Sequence, residues 1–381
     1  MDQDRDDHAG KSLRIAMIGM RGLPADLPKA GGGERETEAK AVRMAERGHA
    51  VTVYCRWHYS RHPVTPYQGV KLISLPSIPT KNLDTPSHTL LATLHVLFRN
   101  TADIISYHGM GNALFLPLAK FGRKKTVVYM DGVDWERPKW GKLARTMLKV
   151  AAQFAFRWAD VVYVDNHASA DVFKRELGRE PLIITLAADI WPPPGQDLLP
   201  QFGLEPENYI LFVGLLQPDK GVHLLVEAYK MLDTSLPLVI VGDNPDEQLY
   251  VKTLKQKADG RVQFLGFVYA QAARQLFANC YIYVQPSIVE GNSPALMSAM
   301  ACGRCVVVNG IEQNLETIGE AGTAFSPNDV IDLSRTLTRL LNDQEEVQLL
   351  GRKARERIEK DYNWEVVVDK LEHVYMLLEG Q

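Results

Sequence analysis

Short apolar runs alternate with helical stretches along this chain, and the alternation is gone through twice. "LRIAMIGM", residues 13–20, closes on glycines; "ETEAKAVRMAERGH" has helical spacing and stops at Gly48; "AVTVYC" follows. That is strand, helix, strand. "ADIISYH", "KTVVYMD", "ADVVYVD" and "PLIITLA" continue the theme, separated by helical stretches such as 141–159. Runs this uniformly apolar suit a parallel sheet covered on both faces by crossover helices. At residues 189–208, "DIWPPPGQDLLPQFGLEPEN", proline and glycine density excludes regular structure and predicts a linker. The pattern then restarts with "YILFVGLL", "LPLVIVGD", "VQFLGFV", "CYIYVQP" and "RCVVVNG". The expectation is an α/β chain of two doubly wound, Rossmann-like domains, with a polar tail at 1–12, a first domain at 13–190, a linker at 191–208 and a second domain at 209–360. Open sheets of this kind bind ligands at the carboxyl ends of their strands, so a cleft between the two sheets is the expected site.

Composition agrees and excludes some functions. A length of 381 residues exceeds one ordinary core. Hydrophobic residues at 46%, charged residues at 23% and a net charge of −3 suit a folded protein that does not coat nucleic acid. The four cysteines, Cys55, Cys280, Cys302 and Cys305, are too few for a disulfide framework and point to a reducing compartment. Cys302-Gly-Arg-Cys305 has half of a zinc spacing and no second pair to complete it, so it reads as two packed thiols. Residues 1–12 lack the apolar core of a signal peptide, and no apolar stretch approaches the roughly 18 residues of a spanning helix. A cytoplasmic protein is expected.

Chemistry concentrates in "YVQPSIVEGNSPALMSAMACG", residues 283–303. Ser293 is a helix N-cap and Pro294 the first helical residue. The amides of residues 293–296 and the helix dipole then form an anion site that suits a phosphate or diphosphate; a plain capped helix is the alternative. Lys220, in "GLLQPDKGVHLLVEAY", lies in the loop after the first strand of the same half, where it can pair with the same diphosphate or simply face solvent. In the first half "MRGLPADLPKAGGGERET" brings Gly31, Gly32 and Gly33 to a helix start, letting backbone amides approach a phosphate or sugar. Gly19 and Gly22 do not complete G-x-G-x-x-G, which disfavours a dinucleotide dehydrogenase.

The loop around Lys220, the strand "VQFLGFV", and "EGNSPALMSAMACG" followed by "VVVNG" resemble the donor half of the retaining GT-B glycosyltransferases of family 4. "IAMIGMRGLP…GGGERETEAKAVRMAERGHAVTVYCR" and "VVYMDGVDWERPKWGKLAR" are similar to the rhamnosyltransferase-like subset of that family, enzymes of bacterial polysaccharide assembly. The resemblance runs from about residue 13 to 375. It implies a metal-independent enzyme without a cofactor, in which a nucleotide-diphosphate sugar lies on the second half and a glycan or lipid-linked acceptor enters from the first. Lys220 would neutralise the diphosphate, Glu290 would hold sugar hydroxyls, amides of Asn292, Ser293 and Ala295 would cradle phosphate oxygens, and Gly266 and Phe267 would meet the base. Gly32 and Gly33 would approach the donor from the first half. Asp131, in "VVYMDGVDW", would orient or deprotonate the acceptor hydroxyl, with a turn residue before Gly132 as the alternative. Asp134 and Trp135 would line the acceptor side, as would His108 at the strand end in "ISYHGMGN", for which a structural role, the commoner one for a lone histidine, is the alternative. "NWEVVVDKLEHVYMLL", within 361–381, resembles the terminal helix that crosses back to the first domain.

The chain also departs from the pattern. Where the family has a second glutamate eight positions after the first, this sequence has Ser298, read either as one neutral hydrogen bond to a ribose or as a small packing residue. Where an arginine is common it has Leu215. An enzyme weakened or silenced in a sugar-nucleotide-binding protein, or a GT-B sugar-nucleotide epimerase, are the rival readings. "RPKWGKLARTMLKVAAQFAFRW", residues 137–158, sets Arg137, Lys139, Lys142, Arg145 and Lys149 beside Trp140 and an apolar face. That suits peripheral contact with anionic lipid at the inner membrane face, or a core helix with a solvated basic side.

Overall fold

The computed structural model describes residues 12–25, 32–60, 64–80, 83–136 and 141–380. The tail to residue 11, Gly31, and the start of the basic stretch with Arg137, Lys139 and Trp140 lie outside the described residues. The chain forms two compact units, Met1–Thr185 with Glu365–Gln381, and Leu186–Trp364.

In the first unit seven parallel strands take the order β3-β2-β1-β4-β5-β6-β7: β1 Arg14–Ile18, β2 Ala50–Arg56, β3 Lys71–Leu75, β4 Ile104–His108, β5 Lys125–Met130, β6 Val161–Val164 and β7 Leu182–Ile183. Helices α1 Gly32–Glu46, α2 Asp84–Arg99, α3 Leu116–Phe121, α4 Lys142–Trp158 and α5 His167–Leu177 make the crossovers. The last strand is shorter than "PLIITLA" suggests, pairing over Leu182 and Ile183 alone. Edge strand β3 carries a weaker apolar signal and escapes sequence reading.

The second unit repeats the design with six parallel strands in the order β10-β9-β8-β11-β12-β13: β8 Ile210–Val213, β9 Leu238–Val241, β10 Val262–Gly266, β11 Ile282–Gln285, β12 Cys305–Asn309 and β13 Thr323–Phe325. Its helices are α6 Val222–Tyr229, α7 Gln248–Lys257, α8 Ala270–Asn279, α9 Pro294–Ala301, α10 Glu312–Ile318, α11 Val330–Leu341 and α12 Gln344–Asp361. The pleat divides each strand between two cores. Ile210, Phe212, Ile240, Val284 and Val307 pack with α6 and α11. Leu211, Val239, Tyr283, Val306 and Val308 pack with α9 and α12 on the other face. Each such fully buried Val, Leu, Ile or Phe contributes roughly 1.5–3 kcal/mol of transfer free energy.

The proline-rich stretch is not a free linker. The division falls before it, at Thr185/Leu186, and residues 191–208 pack as part of the second unit. Leu199 and Leu204 are buried in its core with Tyr209. The Gln275 side chain on α8 accepts from Leu198 N at 2.8 Å and donates to Pro194 O at 2.9 Å and Asp197 Oδ1 at 2.6 Å. One buried amide thus supplies hydrogen bonds that irregular backbone would otherwise take from water.

The final helix, α13 Trp364–Glu379, returns to the first unit. Arg47, at the end of α1, reaches Glu365 at 2.8 Å, Asp369 at 2.8 Å and Glu372 at 2.6 Å. Val367, Val368, Leu371 and Tyr375 of α13 are buried.

In both sheets the chain starts near the centre and winds out in opposite directions, so the loops after β1 and β4, and after β8 and β11, leave adjacent strands. Such a switch point opens a crevice at the carboxyl edge of a sheet.

Candidate functional site

Lys220 follows β8 and Glu290 follows β11, two strands that neighbour each other at the switch point, and this topology brings together residues 70 positions apart. Two backbone features close the distance. At Gly221, φ is +64° and a Cβ would meet Pro286 O at 1.9 Å, so only glycine lets the two loops pass this closely. The Asp219 carbonyl then accepts from Ile288 N at 2.8 Å, while Asn309 Nδ2 donates to Ser287 O at 3.1 Å. The result is a two-oxygen ion pair, with Lys220 Nζ 2.6 Å from both Glu290 oxygens and side chains 18% and 7% exposed.

Behind the pair runs a relay that motif reading missed. Tyr283 donates to Gln285 Oε1 at 2.6 Å, and Gln285 Nε2 donates to Glu290 Oε2 at 3.1 Å and Ser287 Oγ at 2.6 Å. Burial, then the charge of Glu290, raise the Tyr283 hydroxyl well above the usual phenol range, so it remains a donor. A polar Gln285 inside the apolar run "CYIYVQP" was the available signal, since a buried amide needs partners.

Helix α9 begins where the sequence placed it. Ser293 has φ −90° and ψ 111°, and its Oγ accepts from Leu296 N at 3.3 Å. The anion site is therefore narrower than four amides: Pro294 has no N–H and Leu296 spends its own, which leaves the amides of Ser293 and Ala295. The Asn292 side chain accepts from Thr317 Oγ1 at 3.0 Å, fixing the turn that carries it. Ser298 is half-buried and its hydroxyl donates to Pro294 O at 2.8 Å, inside its own helix, so only its lone pairs stay available. Leu215 is exposed in the loop after β8. Gly266 ends β10 at φ +67°, its carbonyl accepting from Gly242 N at 2.7 Å, and Phe267 beside it is 41% exposed with its ring stacked on Tyr269. An exposed stacked ring at a carboxyl edge suits a planar base.

In the first unit Asp131 stands exposed just after β5. Its charge bears on Glu36 and Tyr129, which carry a buried network that sequence reasoning did not anticipate. Lys40, fully buried, pairs with Glu36 one turn away on α1 and sits 4.5 Å from the Tyr129 ring centre and 5.2 Å from that of Tyr163. Tyr129 donates to Glu36 Oε2 at 3.0 Å. The i, i+4 pair in "ERETEAK" was the visible clue, though such pairs usually lie in solvent. His108, expected on the acceptor side, is buried beside this network. Its ring nitrogens meet Thr37 Oγ1 at 3.2 Å and Ser106 Oγ at 3.3 Å, and burial, then the Lys40 charge, push its pKa down to about 3. It is a neutral packing residue. Trp135, expected beside it, is also in the core, edge-on to Phe173 at 5.3 Å, because an indole after β5 finds more apolar area under α4 than at the surface. Asp134 is half-buried at the start of the same turn. Gly32 opens α1, and a Cβ on Gly33 would meet nothing within 4 Å, so its absence leaves open space above the helix start.

Among the described residues no group of three or more His, Cys, Asp or Glu side chains is placed to hold a metal ion, all four cysteines are free, and no helix is long and apolar enough to cross a membrane.

Comparison with known proteins adds to this geometry. A family model described as "Glycosyl transferases group 1" matches residues 197–357, and one described as "Glycosyltransferase Family 4" matches residues 30–185. O-antigen chain mannosyltransferase B of Escherichia coli is 27% identical over 187 residues, 48% of this chain and 49% of that protein. Serotype-specific mannosyltransferase WbdA of Escherichia coli is 29% identical over 157 residues, 39% of this chain and 19% of that protein. These matches thus span about half or less of the length of the relatives. Sucrose-phosphate synthase from Thermosynechococcus elongatus superposes with a TM-score of 0.84 at 21% identity, covering 96% of this chain and 99% of that one. Anabaena HepE, in complex with UDP-glucose, does so at 0.80 and 21%, covering 96% and 99%. At such identities the superpositions speak for the fold.

Proposed function

The chain belongs to the family 4 glycosyltransferases and has their GT-B fold, and from that premise we propose that it moves a hexosyl or deoxyhexosyl group from a nucleotide-diphosphate sugar to a glycan or lipid-linked acceptor, with retention at the anomeric carbon and without a metal ion. The observation that carries this reading is the two-oxygen ion pair of Lys220 with Glu290, in the loop that leads directly into the Ser293-capped start of α9. An ammonium and oriented N–H groups are what a departing diphosphate needs where its charge develops. On donor binding the diphosphate takes over Lys220, which releases the Glu290 oxygens for sugar hydroxyls, while Gln285 keeps the carboxylate in place. The C1–O bond to the diphosphate breaks and a C1–O bond to the acceptor forms. The acceptor proton goes to a carboxylate, a role we give to Asp131. The names of the E. coli mannosyltransferases and of the HepE complex support a nucleotide-sugar donor and a polysaccharide-type acceptor. The similarity of the first half to rhamnosyltransferase-like enzymes favours a deoxyhexose. Free cysteines fit a cytoplasmic setting.

The test is turnover of a panel of UDP-, GDP- and dTDP-sugars with bacterial lipid-linked acceptors, the anomeric configuration of the product being read by NMR. Activity that a chelator abolishes, or an inverted product, overturns the corresponding part of the proposal. Ser298 and Leu215 support a second reading, a protein that binds the donor and transfers nothing, because neither supplies the charge that a full donor set would. Tight binding without turnover on any acceptor decides for it.

We also propose peripheral contact with anionic lipid through α4, where Leu143 and Met147 are 76% and 54% exposed among exposed Lys142 and Arg145. Co-sedimentation with phosphatidylglycerol vesicles, and not with phosphatidylcholine vesicles, is the expected result.

A further inference from the structure

The edge of the second sheet opposite Lys220 and Glu290 holds a cavity of about 450 Å³. Its position follows from strand polarity. Tyr281 directly precedes β11 and Cys305 begins β12, so both lie at the amino edge of a parallel sheet whose carboxyl edge carries the ion pair. The volume falls within the roughly 300–1,000 Å³ of small-molecule sites.

One wall is a face of α12. Gln344, Gln348, Arg352 and Glu356 recur every fourth residue, so they form a continuous ridge, and all four are exposed. Their side chains make no hydrogen bond or ion pair with the described residues, and the Tyr281 hydroxyl across from them makes none either. The ridge is firmly seated. At Gly351 a Cβ would meet Gly303 O at 2.3 Å, so helix and turn touch backbone to backbone, and the groove does not depend on a ligand to form.

Charge decides what such a groove accepts. Arg304 is paired with Glu207 at 2.9 Å and Arg355 with Glu359 at 2.5 Å. The remaining guanidinium, Arg352, has Glu356 one turn away on the same helix. Glu207, Glu359 and Glu356 thus stand against the three guanidinium groups of Arg304, Arg355 and Arg352, so no excess of positive charge draws a phosphate. It offers two carboxamides, a guanidinium and a carboxylate, planar groups whose paired donors and acceptors match vicinal hydroxyls, together with an aromatic ring for the apolar face of a pyranose. We propose that this groove is a second, non-catalytic site that binds a neutral oligosaccharide. Its use would be to hold a glycan chain on the protein while the ends of that chain are processed elsewhere. That tethering role rests on the transferase reading; the binding itself does not.

The experiment is calorimetric titration of maltotetraose, cellotetraose and an α-linked mannotetraose into three proteins: wild type, Lys220→Ala, and the double variant Gln348→Ala/Arg352→Ala. We expect at least one tetrasaccharide to bind wild type and Lys220→Ala alike and to be undisturbed by UDP or GDP. It should bind about tenfold or more weakly to the double variant, whose melting temperature stays at the wild-type value because both side chains are exposed. Absence of binding by all three sugars overturns the proposal. So does equal binding by the double variant, or displacement by nucleotide or by inorganic phosphate. Failure of the transferase reading shows instead as a lack of donor turnover, which leaves these titrations unchanged.

Discussion

Lys220 and Glu290 satisfy each other, the ammonium lying 2.6 Å from both carboxylate oxygens. Removing the ammonium should affect one part of the donor selectively. Lys220→Ala is expected to weaken nucleoside diphosphates by about tenfold to a hundredfold, since a hydrogen bond to a charged group is worth about 1.5–3 kcal/mol, and to leave the bare nucleoside nearly unaffected. Equal losses for both in calorimetry would remove the diphosphate role. Ser298 makes the opposite test. Its hydroxyl bonds Pro294 O inside the helix and the residue is half-buried at an accessible position. Ser298→Glu should therefore raise donor affinity roughly tenfold with little change in melting temperature, and a large drop in melting temperature would mean that the position is closed by protein. Both residues were legible in the sequence as candidates. Gln285 was not singled out, because its importance lies in touching Tyr283, Ser287 and Glu290 at once. His108, read as either an acceptor-side or a structural residue, and Trp135, read as an acceptor-side one, turn on the converse. Their types suit a surface site, and only burial shows them to be packing.

At the scale of elements, the loops after β8 and β11 are held by contacts that make no appearance in a motif. Gly221 is the sharpest of them. Gly221→Ala adds a Cβ 1.9 Å from Pro286 O at φ +64°, so the loops must separate. The expected cost is at least the roughly 1–3 kcal/mol of a strained backbone position, with loss of diphosphate binding as Lys220 moves from Glu290. Thermal melting and titration of the same sample read the two effects, and a fully stable variant that still binds diphosphate would show the close passage to be dispensable. Strands β8, β9, β11 and β12 were readable because they are buried on both faces. Strand β3 at an edge and three-residue β13 carry too little apolar signal. The stretch 191–208 defeats a composition rule: prolines exclude a helix or strand, yet Gln275 gives irregular backbone the hydrogen bonds that order it.

Across the whole molecule, α13 ties the chain's end to the first unit, and Arg47 is the knot. Burial works against the Glu372 charge, but hydrogen bonds from Arg47 and His49 outweigh it and hold the carboxyl below its usual range. A depressed folded-state pKa means stability that is present above the unfolded value, about 4.3, and lost as pH falls through the folded one. Arg47→Ala should thus lower the melting temperature at pH 7 by more than it does at a pH acid enough to protonate Glu372 with Arg47 still in place. Equal losses at both would assign Arg47 a packing role alone. The double alternation of apolar runs and helices determined, by itself, two doubly wound sheets, and Ser293 with Pro294 determined the start of α9, because backbone hydrogen bonding and apolar periodicity are local properties; Lys220 and Glu290 were candidates through the family resemblance of their loops. Tertiary structure decided which of these meet. Adjacency of β8 with β11, the glycine-wide passage at Gly221, the buried Lys40 network and the ridge of α12 against Tyr281 all join residues distant in the chain, and no local preference encodes a contact whose partner is supplied by another strand.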